Sequence, residues 1–414
     1  MTSIFRSKVM KREGYESMGV KTRFKRREFL KMTGGIGSLV GAGLILGTPP
    51  VWAQEENPPE RPKTNLDDVL SVPKTKYSLP GLFPGKIVEV HNPKAMKEEQ
   101  FVAGIIQEMF QKGIQELTGK SLKKSFSLFF DKHDIVGIKV NPVGAGLIST
   151  RLEVVDAVID WLVKGGISRK NIVIWDRMDY MLTDSGFTSD RYPGISIEGL
   201  QTMDSEVFEG KEKEKISSLD ERGRHVSEAN FDLDVYYWVD VEGPKDPVYL
   251  NQHVFNGKYS YFGNLLTKKI TKIINIPVFK NCGNGISIAT KNIGYGAICN
   301  TNRLHKPLFF DVCVDVLAFP VIRDRLVLNI ADGLRAQYEG GPGPAAKFAY
   351  KYNRLFFATD PFAMDMVSHD LLVAKRKSMN IQVNEHPRYT EYLRYAQRLG
   401  LGVADTEKIE HLKV

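Results

Sequence analysis

Cysteine is scarce in this chain: three occur in 414 residues, Cys282, Cys299 and Cys313. That argues against a disulfide framework even in an oxidising compartment, leaving room for one pair and one spare thiol, and it excludes an iron-sulfur cluster held by four cysteines of one chain. Cys282, Cys299 and His305 follow one another at spacings of 17 and 6 residues, which match no standard zinc or cluster pattern, so they stand only as metal candidates. Cys313 falls on the apolar face of a helical pattern and reads as core. Long apolar runs are missing too: the stretch from Met32 to Gly47 is diluted by glycine and falls short of the ~20 residues that span a bilayer. A charge of one sign is absent from the body. Of the net +8, residues 1–53 supply +7 through ten Lys/Arg and three Asp/Glu, which leaves 47 basic against 46 acidic residues elsewhere. The body therefore offers no electrostatic case for nucleic acid. Neither a GxxxxGK[ST] loop nor a GxGxxG turn is present, and no Ser-His-Asp or Cys-His arrangement can be named from spacing. GNG (283–285) and GGPG (340–343) offer backbone N–H groups to a phosphate, without such a motif.

What is present is an ordinary globular composition, 42% hydrophobic and 26% charged, long enough for a sizeable core. The basic leader reads KRREFLK (Lys25 to Lys31), then a glycine-diluted apolar run, then Val51-Trp52-Ala53. Arg26 and Arg27 with Phe29, Leu30 and Lys31 resemble the twin-arginine export signal, with cleavage before Gln54 and Lys25 where that signal usually has Ser or Thr. The expectation is a mature protein outside the cytoplasm, periplasmic or otherwise extracytoplasmic, exported by the twin-arginine machinery. That route carries folded proteins, so a cofactor is permitted; the sequence names none. Residues 54–85 are rich in proline and read as an extended linker.

From 86 to 414 the pattern is α/β, a mostly parallel sheet flanked by helices and built from repeated βαβ units. KIVEV (86–90) predicts a strand, and residues 97–118 carry apolar side chains at helical spacing. DIVGIKVNPVGAG predicts a buried strand to Val140, Thr150-x-x-Glu153 a capping box, Gly165 and Gly166 the helix end, and NIVIWD the returning strand. KIINIPVF, a helix over 307–319 and RLVLNIAD repeat the theme, and RLFFATDPFAMDMVSHDLL closes it. Residues 387–414 read as one helix and a short packed tail. Residues 177–271 are charged and aromatic with alternation in FDLDVYYWVDV, and read as a strand-rich insertion.

Ligands bind at the carboxyl ends of parallel strands, where loops and helix N-termini converge. Here those ends carry Lys139 and Asn141, Asp176, Lys280 and Asn281, Asp332, and Asp360. Two loops, 281–306 and 332–353, exceed the usual connection length. A lone lysine at a strand end is commonly a snorkelling surface residue; Lys139 and Asn141 share one strand face, however, and Lys280 has a polar neighbour in the equivalent place. Asp360 before Pro361 reads most simply as an N-cap. Asp365 and His369 lie one helical turn apart, as an ordinary surface or core pair would.

Taken together, LTGKS (117–121), HDIVGIKVN (133–141), NIVIWDR (171–177), INIPVFKN, TKNIGYGAICNTNRLH (290–305), NIADGL, GGPG and ATDPFAMD (358–365) resemble the bacterial and archaeal domain of unknown function 362 family. Its members are often exported or fused to ferredoxin-like iron-sulfur modules, and no reaction is assigned to it. The resemblance implies that Lys139, Asn141, Asp176, Lys280, Lys291, Asn292, His305, Asp332, Asp360 and Asp365 are its recurring polar positions. Cys282 stands where the family carries histidine, and the CxxCxxC runs of the fused members are missing, so any cluster would belong to an iron-sulfur redox partner.

These residues lead to an expectation: an enzyme for a small anionic substrate or cofactor, carboxylate or phosphate. Lys280, Lys291, His305 and Asp332 would be catalytic, and Lys139, Asn141, Asp176, Asn292, Asp360 and Asp365 would bind. Lysines would polarise the anion and His305 would move a proton. Two rivals share the residues: a redox accessory that binds metal or docks an iron-sulfur partner, and a solute-binding module without turnover.

Overall fold

In the computed structural model residues 61–201, 229–245, 249, 253–306, 308–384 and 386–414 are described; the leader and the start of the proline-rich stretch lie outside them. The strands, in chain order, are β1 (Lys86–His91), β2 (Met96–Lys97), β3 (Gln100–Phe101), β4 (Val136–Val140), β5 (Ile172–Met178), β6 (Ser196–Gln201), β7 (Phe231–Gly243), β8 (Gly257–Gly263), β9 (Lys272–Ile276), β10 (Val278–Cys282), β11 (Gly285–Ile286), β12 (Leu326–Gln337), β13 (Ala349–Ala358) and β14 (Glu410–Lys413). Ten of them form one sheet in the order β14-β1-β13-β12-β9-β4-β5-β6, with β10 paired to β12 and β11; β2–β3 and β7–β8 are separate hairpins.

The run β12-β9-β4-β5-β6 is parallel throughout, as helical crossovers require. By contrast β13 is antiparallel to β12 and β1, because the chain returns from β12 through residues 338–348 without a crossover helix. Side chains alternate across this sheet: Ile172 and Ile174 pack with the helices Ala103–Thr118, Leu122–Phe129 and Leu152–Gly165 on one face, while Val173 and Trp175 pack on the other with residues of Asp311–Ala318 and Arg388–Arg398. The central strands β4 and β9 are buried on both faces, which is why their sequences are nearly continuous apolar runs.

Several boundaries differ from the sequence reading. The helix expected from 97 begins at Ala103, since β2 and β3 pair in front of it. KIINIPVF is two strands: Pro277 lacks an N–H for the ladder, and β10 steps across to pair with the far half of β12. With β12 ending at Gln337 and β13 starting at Ala349, the loop expected over 332–353 contracts to 338–348. The capping box is not formed; Arg151 occupies the N-cap with no side-chain cap bond, while Gly166, at φ 107°, supplies the left-handed residue that closes the helix.

The strand-rich insertion adds β6 to the main sheet. Its hairpin β7–β8 places Phe231, Tyr237, Val239 and Phe262 in the same apolar cluster as Trp175, so both share one core. The proline-rich stretch is laid along the body where it is described: Leu66 and Leu79 are buried, Leu79 N–H donates to the Arg323 carbonyl at 2.9 Å, and the Arg323 guanidinium donates to the carbonyls of Val72 and Pro73 at 3.1 and 3.0 Å. No helix among the described residues is long and apolar enough to cross a membrane.

Candidate functional site

One register row of the sheet is polar. Ile138 and Val140 face the helices of the first layer, so Lys139 between them faces the other side. Its register partners are Trp175 on β5 and Asn275 on β9, and Asn275 stands beside Asn329 on β12. Lys139 is 1% exposed. Its Nζ donates to the Val140 carbonyl at 2.8 Å, to Asn292 Oδ1 at 3.1 Å and to Asp176 Oδ1. Three acceptors, one of them a carboxylate, use every donor of an ammonium. Burial lowers the pKa of Lys139, and Asp176 opposes that shift. Gly296 permits the arrangement: a Cβ there would lie 2.6 Å from Lys139 Cε.

Asn292 reaches the row from the helix Ala289–Gly294 above it. Its Nδ2 donates to Asn275 Oδ1 at 2.8 Å, and Asn275 Nδ2 donates to Asn329 Oδ1 at 2.9 Å and the Ala289 carbonyl at 3.0 Å. Asp365 fixes the start of that helix, accepting from Ala289 N–H at 2.8 Å, Thr290 N–H at 3.0 Å and the Thr290 hydroxyl. These bonds hold its carboxylate charged, while burial pushes its pKa up to about 6. Asp365 thereby positions Lys291 and Asn292 and shares nothing with His369, whose Nδ1 lies 3.4 Å from Asp370 Oδ1.

Lys280 reaches the same neighbourhood from β10. It is wholly buried, and Nζ donates to Asn141 Oδ1 at 3.1 Å and to the Val143 carbonyl at 3.3 Å. Both acceptors are neutral, and no carboxylate among the described residues pairs with it. Burial first, then the charge of Lys291, push its pKa down to about 7; Cys282 and Asp176 pull against them. Lys291 is half-buried, with Nζ 5.2 Å from the centre of the Tyr295 ring. The His305 ring lies 4.4 Å from that ring, tilted by 37°. Its Nδ1–H donates to the Thr301 carbonyl at 3.1 Å, which leaves Nε2 as the acceptor. Burial and Lys291 push His305 down to about 3, so the imidazole is neutral at physiological pH, with its one ring proton at Nδ1 engaged by the Thr301 carbonyl.

Lys139, Asn141, Asp176, Lys280, Lys291, Asn292 and His305 thus converge. Asp332 and Asp360 do not join them. Asp332 accepts Arg151 N–H at 2.8 Å and Leu334 N–H at 3.1 Å, tying the start of the helix Leu152–Gly165 to β12, and burial pushes its pKa up to about 6. Asp360 accepts four backbone N–H groups, from Phe362, Ala363, Gly85 and Val403, which bears out the N-cap reading. Thr150 Oγ1 accepts Asn141 N–H at 2.8 Å and donates to the Ile276 carbonyl at 2.8 Å, clasping the end of β4 to β9.

The sequence reading passed over Arg177 and Asn275. Arg177 donates to Thr301 Oγ1, and its Nη2 lies 3.0 Å from His253 Nδ1, which adds a cation to the rim. Asn275 carried its own signal, a lone amide inside the apolar run KIINI that has to find partners when buried. The metal candidates stay apart. Cys282, Cys299 and Cys313 are buried free thiols; Cys299 Sγ accepts Tyr261 N–H at 3.1 Å, and burial pushes that thiol up to about 12, away from the thiolate a metal needs. Among the described residues no three His, Cys, Asp or Glu side chains gather to hold a metal ion.

Comparison with curated proteins and with solved structures finds no match. Residues 136–370, more than half of the chain, match one family and contain every converging residue named above: the chain belongs to the family described as Domain of unknown function (DUF362).

Proposed function

We propose that this protein is exported and acts on a small carboxylate or phosphate anion bound at the carboxyl edge of β4, β5 and β10. One observation carries the reading: Lys280 is a fully buried amine whose partners, Asn141 Oδ1 and the Val143 carbonyl, are both neutral. Beside it stand Lys139 and Lys291, and Arg177 lies next to the carboxylate of the group, Asp176, which Lys139 engages. Lys139 and Arg177 share the Asp176 carboxylate and Lys291 adds a third cation, and a bound anion offsets that excess. Lys291, half-exposed, meets the anion first; Lys280 polarises it in surroundings of low dielectric, where such a contact is strongest. Asn141 and Asn292 fix the two buried lysines, and Asp365 fixes the helix beside them.

The test is titration of the purified full chain with inorganic phosphate and with acetate, followed by thermal shift. Binding is expected, and the double variant Lys280→Met/Lys291→Met, folded by circular dichroism, should bind at least about tenfold more weakly, or ~1.4 kcal/mol. Equal affinity in the wild type and the double variant refutes the reading. Export is tested separately: Arg26→Lys with Arg27→Lys should retain the protein in the cytoplasm, and full export of that variant would remove the twin-arginine route.

A further inference from the structure

The two buried lysines of the site are partnered as different chemical species. Lys139 Nζ has three acceptors, including the Asp176 carboxylate, the complement of an ammonium with three N–H bonds. Lys280 Nζ has two, Asn141 Oδ1 at 3.1 Å and the Val143 carbonyl at 3.3 Å. Two acceptors match the two N–H bonds of a neutral amine and leave its lone pair unclaimed, whereas an ammonium there would bury a third N–H for which the described residues give no acceptor. The pKa of about 7, set by burial and by Lys291, agrees with that count. Buried lysines beside a second cation are the amines that attack carbonyl groups at neutral pH.

We propose that Lys280 is a nucleophilic amine that condenses with the carbonyl carbon of a small 2-oxo acid or aldehyde anion to form an imine. This rests on the anion-binding reading and narrows its substrate class to anions that also carry a carbonyl group. Lys291 holds the negative end, and the Lys280 lone pair attacks the carbonyl carbon while the C=O π pair moves to oxygen. Both N–H protons end on that oxygen, which departs as water and leaves C=N. One amine and one carbonyl give one imine and one water, with no oxidant, reductant or co-reactant. The imine is neutral as formed; one proton taken up from water makes it an iminium, which Asp176, whose charge already acts on Lys280, stabilises. Access lies across residues 142–147, because the Val143 carbonyl covers Nζ; Gly144 and Gly146, at φ 88° and 78°, give that cover its turns, and a Cβ at Gly146 would meet nothing within 4 Å.

The experiment is reductive trapping. Purified full chain is incubated with glyoxylate or pyruvate and cyanoborohydride, which reduces imines, and is then mapped by peptide mass spectrometry; phosphate binding is titrated on the same preparation. The reduced adduct is expected on Lys280 at occupancy at least about tenfold above any exposed lysine, and excess phosphate should suppress it. Adducts confined to exposed lysines, or none, overturn the proposal. If phosphate still binds in that case, only the imine step is lost; if phosphate binding is absent too, the anion reading falls with it. Because the adduct is located on the wild-type chain, the result does not depend on a variant that folds.

Discussion

A lysine inside a protein is defined by its acceptors, and Lys139 and Lys280 separate on that ground. Removing Lys139 strands the Asp176 carboxylate, 6% exposed, without its counter-ion, so Lys139→Met should cost about 3–5 kcal/mol. Removing Lys280 leaves two neutral acceptors unsatisfied but also lifts an amine out of a buried, cationic setting; the first effect costs about 1–3 kcal/mol and the second offsets part of it. Urea unfolding midpoints of the two variants check the order, and an equal loss would contradict the assigned charge states. The pH dependence has a definite sign. The pKa of Lys280 falls from 10.5 to about 7 on folding, lowered by burial, Lys291 and Lys139 against the opposing charges of Cys282 and Asp176. Between those values the unfolded chain binds the extra proton, so this group makes stability rise from pH 7 to pH 10.5; below pH 7 both states are protonated and its contribution is flat. The stability difference between wild type and Lys280→Met should follow that window, because the other titrating groups cancel, and a difference flat in pH would exclude a depressed Lys280.

At the level of elements, the helix Ala289–Gly294 has only six residues, too few to stand by its own hydrogen bonds. It holds its place through Asp365, and that yields a prediction about binding. Asp365→Ala removes three hydrogen bonds, one from a hydroxyl and two from backbone N–H groups, and should shift Lys291 and Asn292 together. Phosphate affinity should fall several-fold while Asp365→Asn, which keeps one acceptor oxygen, recovers part of it; an unchanged affinity in folded Asp365→Ala would reduce Asp365 to a purely structural clasp. The sequence made the strands and their polar ends legible because buried parallel strands are apolar runs and the polar residues that end them stand out. It could not say which acidic end groups face the lysines. Asp332, Asp360 and Asp365 look alike as aspartates after or within apolar segments, yet each also accepts backbone N–H groups of elements distant in sequence. The same limit misplaced Thr150: T-x-x-E is a local pattern, and the hydroxyl instead found Asn141 and Ile276, partners set by the neighbouring strands. Pro277, by contrast, was a local signal whose consequence, the step of β10 across to β12, was there to be read.

Across the whole molecule, the segment before β1 is structural, and the ion pair at its start gives the most direct test. Arg61 donates to Asp315 on the helix Asp311–Ala318 and to the Tyr395 hydroxyl on Arg388–Arg398, while the Lys63 carbonyl accepts Asp240 N–H at 2.9 Å from β7. One segment thus pins the β7–β8 hairpin and two helices to each other. The pair is asymmetric: the Arg61 side chain is 33% exposed and that of Asp315 is 0% exposed. Water can solvate an orphaned Arg61 but not an orphaned Asp315, which keeps only the neutral hydroxyls of Tyr237, at 2.5 Å, and Tyr395 among the described residues. Arg61→Ala should therefore cost about 3–5 kcal/mol, the loss expected when a buried charge loses its partner, and Asp315→Asn markedly less, about 1–2 kcal/mol for weakened hydrogen bonds. The double variant should be no less stable than Arg61→Ala alone, because the buried charge has gone. Cleavage before Gln54 would leave Arg61 in the mature chain, so this contact survives the proposed export. Thermal or urea unfolding of the three variants decides the matter: equal losses for both single substitutions, or strict additivity in the double, would mean that the segment lies on the surface of the body without holding it together.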